Sequence, residues 1–104
     1  MKLIYIDQRY TRIESGSCKE HGFSIISTKE ECEAAAIYLN LVDHTAYSTK
    51  LSSTPYGCIY ASNDWLGWHV AGNPRAESVA CGSKDSSKRD YYDCICKLSG
   101  IKCL

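Results

Sequence analysis

Apolar and polar positions alternate loosely at the start of the chain, with Leu3, Tyr5 and Asp7 on one side and Ile4, Ile6 and Gln8 on the other. With Tyr10, Thr11 and Ile13 following, this pattern predicts an extended strand over Lys2 to Ile13, because β-branched and aromatic side chains suit a pleated surface. Glu14-Ser15-Gly16-Ser17 breaks it ahead of Cys18. His21 to Ile26 reads as a short turn and an apolar entry into a helix. From Cys32 the period becomes helical: Cys32, Ala35, Ala36, Leu39 and Val42 recur on one stripe, which Ile37 and Leu41 widen. Ser27 with Glu30, and Thr28 with Glu31, each supply a hydroxyl and a carboxylate at capping-box spacing. The expected helix runs from about 28 to 41, amphipathic in its first turns and largely enclosed at its end.

Beyond Asp43 the apolar rhythm stops, and His44 to Thr54 reads as a polar surface loop. Pro55-Tyr56-Gly57-Cys58 then sets the entry to a short strand ending near Ala61. Ser62-Asn63-Asp64 has the composition of a tight turn, and Trp65 to Val70 reads as the return strand of a hairpin, closed by Gly72-Asn73-Pro74. Arg75 to Cys81 fits either a strand or a helical turn. Gly82 to Asp90 is charged and serine-rich, and Lys84 to Asp93, with both charge signs, fits a solvated loop. Tyr91 to Lys97 is the last expected strand, with one ring of Tyr91-Tyr92 inward and the other outward. The fold class expected is α+β: one main helix packed on a small antiparallel sheet of short strands. At 104 residues the chain suits a single domain, with 1–15 as an N-terminal extension or edge strand.

Composition narrows the function classes. Apolar residues at 44 % and charged residues at 23 % describe a chain that folds. Twelve Lys plus Arg balance twelve Asp plus Glu, which lacks the basic excess of a nucleic-acid binder or a polybasic membrane segment. The apolar run Leu3 to Ile6 is too short for a signal-peptide core or a membrane span. Seven cysteines, Cys18, Cys32, Cys58, Cys81, Cys94, Cys96 and Cys103, favour a disulfide framework over clustered metal ligands. The expected location is therefore an oxidising compartment, either extracellular or an organelle lumen, reached after removal of a leader outside this numbering. The chain contains no Asn-x-Ser/Thr sequon.

Reaction chemistry finds little support. Cys18-x-x-His21 and Cys94-x-Cys96 could each offer two zinc ligands, but a Cys-x-Cys lacks the two-residue gap of a knuckle and the pairs are far apart. A cysteine nucleophile with His44 or His69 would need a held thiolate and an oxyanion hole, and no motif supplies either. The expectation is no catalytic site, no metal and no cofactor. A binding surface is better supported: Tyr56, Tyr60, Asn63, Asp64, Trp65, Trp68 and His69 fall within one turn and hairpin. Amphipathic aromatics beside amides and carboxylates suit a protein interface or sugar stacking. Trp65 and Trp68 differ by an odd number and must face opposite sides of a strand, with Trp68 or its neighbour as the exposed one.

Gly16-Ser17-Cys18, the Gly22 to Ser27 segment, Glu31-Cys32-Glu33-Ala34-Ala35, Pro55-Tyr56-Gly57-Cys58 and Cys94-Ile95-Cys96 occur in this order. Together they resemble a small cysteine-rich module that recurs in secreted, surface or lumenal proteins of dinoflagellates and other marine algae and protists. The resemblance spans about 16–96. Its four recurring cysteines match Cys18, Cys32, Cys58 and Cys96, while Cys81, Cys94 and Cys103 depart from it. The expected pairs are Cys32 with Cys58 and Cys18 with Cys96, leaving Cys81 to pair with Cys94 or Cys103. With seven cysteines, one is unpaired or intermolecular. The resemblance implies no activity. It does imply that an accessory, extrinsic subunit of a larger assembly, such as an algal photosynthetic complex with its thylakoid lumen, is a specific expectation. The alternative is a secreted or cell-surface carbohydrate-binding module.

Overall fold

The computed structural model describes residues 3–4, 9–49, 54–69, 79–84, 90–98 and 102–103. The expectations for 5–8, Val70, Gly72 to Pro74, Arg75 to Ser78 and most of the Gly82 to Asp90 loop lie outside them. The chain is α+β, with the order β1 (Leu3–Ile4), β2 (Tyr10–Ile13), β3 (Ser24–Ile25), α1 (Lys29–Tyr38), β4 (Tyr47–Thr49), β5 (Gly57–Ala61), β6 (Trp65–His69), β7 (Ser83–Lys84), β8 (Tyr91–Lys97) and β9 (Lys102–Cys103).

The sheet is organised around β8. One of its edges carries β2, paired from Tyr10↔Lys97 to Ile13↔Cys94, and then β7, with Ser83 facing Tyr92. The other edge carries β5 opposite Tyr92 to Cys94, and β3 opposite Cys96 and Lys97. Strand β6 follows β5 as a hairpin, and β4 closes the path beside β6. A separate two-stranded ladder pairs β1 with β9.

Two expectations change here. The sheet is mostly antiparallel, but β4 runs parallel to β6, with Tyr47↔Gly67 and Thr49↔His69. The segment expected to be all loop therefore contains a three-residue strand. It carries no apolar alternation because Tyr47 and Ser48 are both exposed. Tyr91 to Lys97 is the last strand of this sheet in chain order, as expected, and is also its hub; only β9, in the separate ladder, follows it.

Helix α1 is shorter than expected and its end is more exposed. Of the two candidate caps, Thr28 is used: the Glu31 N–H donates to Thr28 Oγ1 at 3.1 Å. The Glu31 carboxylate points elsewhere, accepting from the Tyr10 hydroxyl at 3.4 Å and pairing with Lys97 Nζ at 3.4 Å. At the other end Asn40 takes a left-handed φ of 57°. The Asn40 N–H donates to the Ile37 carbonyl and the Leu41 N–H to the Ala36 carbonyl. These are the two backbone bonds of a Schellman stop. The helix therefore ends at Tyr38, and Ile37, Tyr38 and Val42 are exposed where enclosure was expected.

Successive side chains of β8 point to opposite faces, and each face has its own core. On one, Ile95 packs with Tyr60, Cys58 and Leu66 of the hairpin and with Cys32, Ala35 and Ala36 of α1. On the other, Cys94 and Cys96 pack with Ile13, Cys18, Cys81 and the partly buried Phe23. The alanines allow α1 to approach the sheet closely, and Cys32–Cys58 bonds helix to strand at that contact.

Candidate functional site

The hairpin positions the aromatic groups by strand parity. On β6, Trp65, Gly67 and His69 share one face, and Leu66 and Trp68 share the other. Trp68 turns toward the helix-side core and is partly buried there. Trp65 lies on the opposite face, flat across Gly67: a Cβ at Gly67 would come within 2.7 Å of the Trp65 ring. The missing side chain at Gly67 is what lets the indole lie against the strand.

Parallel pairing of β4 with β6 sets Tyr47 on the same face as Gly67. The Tyr47 and Trp65 rings are stacked, 6.3 Å between centroids and 1° from parallel. Tyr92 meets Trp65 edge-on at 6.2 Å. Tyr47 is 55 % exposed, and Trp65 and Tyr92 are half-buried. The result is a row of three aromatic rings that runs from the β4 edge across the sheet face to β8.

The expected contact residues divide. Asn63 and Asp64 are exposed at the turn, while Tyr56, Trp65 and Trp68 are half-buried. Tyr60 and His69, at 1 % and 0 % exposure, lie in the interior and are corrected from surface contacts to buried groups. Strand β5 is buried along its whole length, which encloses Tyr60. His69 lies beside the Tyr56 ring, with centroids 6.4 Å apart. Sequence reasoning did not include Tyr47 or Tyr92 in the surface. The parity of Tyr91-Tyr92 held the signal for Tyr92, whereas nothing local announced that Tyr47 belongs to a strand.

Tyr60, itself buried, is the centre of a polar network that reaches the surface at Asp64 and Thr45. Its hydroxyl donates to Asp64 Oδ1 at 3.2 Å and accepts from the Asp43 N–H at 3.2 Å. The Asp43 carboxylate accepts from the Thr45 and Leu66 N–H groups, each at 3.1 Å. Across the strand pair from Tyr60, Asp93 is buried and accepts from Arg12 Nε at 2.7 Å. The Arg12 guanidinium sits 5.0 Å from the Tyr60 ring centroid, within cation–π range. Among the described residues Asp93 Oδ1 is buried with no hydrogen-bond partner, so Arg12 is the compensation they supply to this carboxylate.

The disulfides are Cys18–Cys96, Cys32–Cys58 and Cys81–Cys94. Cys81 thus pairs with Cys94, the first of its two expected partners, and Cys103 is the seventh cysteine. In Cys94-Ile95-Cys96 the strand period puts both sulfurs on one face, where each bonds a different distant cysteine. Bonded sulfurs are not thiolate ligands, so Cys18, Cys94 and Cys96 cannot supply the zinc site considered from the sequence. No group of three or more His, Cys, Asp or Glu among the described residues could hold a metal ion.

A cavity of about 40 Å³ opens beside the two bridges on this face, lined in part by Cys18, Cys81, Cys94, Tyr56 and Val79. Three disulfides in 104 residues mark a small disulfide-rich chain suited to an oxidising compartment. Among the described residues no helix is long and apolar enough to cross a membrane. Comparison with protein families, curated proteins and solved structures gave no match for the chain.

Proposed function

We propose that the chain is a non-enzymatic interaction module whose contact surface is the aromatic row of Tyr47, Trp65 and Tyr92. The observation that carries this reading is the parallel Tyr47–Trp65 stack at the β4 edge, with Tyr47 more than half exposed. Large rings held in fixed orientation give contact area with little loss of side-chain freedom, which is why they anchor protein interfaces. Disulfides on both faces of the sheet keep that surface in shape. The partner in this reading is a protein. The resemblance to the algal cysteine-rich module makes an extrinsic subunit of a lumenal photosynthetic assembly the specific form of it.

A carbohydrate ligand is the second reading, favoured by the same stack, since the flat apolar face of a sugar ring packs on parallel aromatic planes. Tyr47→Ala and Trp65→Ala test both readings in chains that retain the wild-type melting transition. A defined complex that co-purifies with the wild-type chain and dissociates with either variant, by about 30-fold in affinity for an aromatic anchor, supports the protein reading. A glycan-array signal lost in the same variants transfers the surface to carbohydrate. Binding unaffected by both substitutions removes the aromatic row as the contact site.

A further inference from the structure

The three disulfides differ in what surrounds them. Cys32–Cys58 lies between α1 and the hairpin, with both residues buried in the alanine-rich core at 0 % and 2 % exposure. Cys81–Cys94 has both of its residues in the wall of the half-open 40 Å³ cavity, whereas Cys18–Cys96 contributes only Cys18. Roughly 10–15 Å³ of such space holds one water, so this cavity has room for an atom the size of an attacking sulfur. Thiol–disulfide exchange requires a thiolate to reach one sulfur of the bond, and access is among the factors that set its rate.

The bond also holds a defined element. Residues 79–84 cross the sheet edge as a strap: the Cys81 N–H donates to the Gly16 carbonyl, the Gly82 N–H to the Tyr92 carbonyl, and β7 adds two paired residues along β8. Gly82 has a φ of 82°, and a Cβ there would overlap the Glu14 carbonyl. The strap is therefore seated closely on the β2 end, with Cys81–Cys94 as its covalent fastening.

We propose that Cys81–Cys94 is a thiol-addressable latch, opened by a dithiol reductant through the cavity while Cys32–Cys58 stays closed. One thiolate of the reductant bonds to Sγ of Cys81 or Cys94, and the S–S bond breaks to leave the other sulfur as a thiolate. The second thiol of the reductant, as its thiolate, then displaces the protein sulfur and closes a disulfide within the reductant. Two electrons and two protons pass to the chain, leaving Cys81 and Cys94 as thiols. The strap then keeps only its backbone hydrogen bonds and side-chain packing.

The test is graded reduction of the folded chain with dithiothreitol, quenched by alkylation and mapped by peptide mass. Cys81 and Cys94 are expected to become alkylated at least roughly tenfold faster than Cys32 and Cys58, and before Cys18 and Cys96. Simultaneous loss of all three bonds, or first opening of Cys32–Cys58 or Cys18–Cys96, overturns the proposal. Val79→Phe, which fills the cavity wall, should slow the opening of Cys81–Cys94 and leave the rate at Cys32–Cys58 unchanged, and Ser17→Phe does the same from another part of the wall if the first variant misfolds. An unchanged rate in a folded cavity-filling variant rules out the route. The chain carrying Cys81→Ser and Cys94→Ser should still form the other two bonds and retain its helix by circular dichroism. Failure to form them would show a structural bond and no latch.

Discussion

Arg12 and Asp93 show how one side chain can decide a local balance. Asp93 is buried with one oxygen unpartnered among the described residues, and its other oxygen pairs with Arg12, whose side chain is 34 % exposed. Removing the guanidinium leaves a buried carboxylate alone, so Arg12→Ala should cost about 3 kcal/mol in urea unfolding, the low end for a broken buried pair. Replacing both partners by apolar residues, Arg12→Met with Asp93→Leu, should recover most of that loss, because the desolvated charge is removed as well. Tyr10 gives a pH signature. Burial raises its phenol pKa, seconded by the negative charge of the Glu31 carboxylate, which accepts a hydrogen bond from the hydroxyl. A phenol whose folded pKa exceeds its unfolded value of about 10 stabilises the fold fully below that pH and loses the contribution as pH rises through the folded value. Unfolding midpoints measured across this alkaline range should therefore fall more steeply for the native chain than for Tyr10→Phe.

At the scale of elements, the stop of α1 is set by backbone geometry at Asn40. Asparagine tolerates the left-handed conformation better than other non-glycine residues, and glycine tolerates it best. Asn40→Ala should lower stability by about 1 kcal/mol and Asn40→Gly should be neutral or slightly stabilising, with guanidinium unfolding as the readout. Sequence periodicity could not place this stop, because Leu39, Leu41 and Val42 continue the apolar stripe past it. The cap at Thr28, the hairpin with its opposed tryptophans and the alternation of Tyr91 and Tyr92 were readable, since each depends on residues a few positions apart. Strand β4 was not readable: its identity comes from pairing with β6, about 20 residues on, and its exposed side chains leave no alternation. Missing β4 also hid Tyr47, and with it half of the aromatic stack. Tyr60 was misplaced because local pattern does not reveal that β5 is covered on both faces, and His69 because the end of β6 is flanked by β5 and by β4, the latter a pairing distant in sequence.

For the whole molecule, the covalent framework matters as much as the core. On the loop-closure model Cys18–Cys96, Cys32–Cys58 and Cys81–Cys94, separated by 78, 26 and 13 residues, contribute about 4.5, 3.5 and 3 kcal/mol. Each is a large part of the roughly 5–15 kcal/mol by which small proteins are stable. The position of β8 has a further consequence for how the chain is made. Residues 91–97 pair with β2, β3, β5 and β7, so an emerging chain lacks the common neighbour of those four strands until β8, which follows all of them in chain order, has been synthesised. Assembly of the sheet is then a late step dominated by contacts distant in sequence, the kind that forms slowly. Only Cys32–Cys58, which joins α1 to β5, can close before β8 arrives. Trapping the thiols of the reduced chain at intervals during oxidative refolding should find that bond first and the two bonds ending on β8 later. If Cys18–Cys96 were trapped ahead of it, β8 would have to dock before the helix is fastened, and the order of assembly would be reversed.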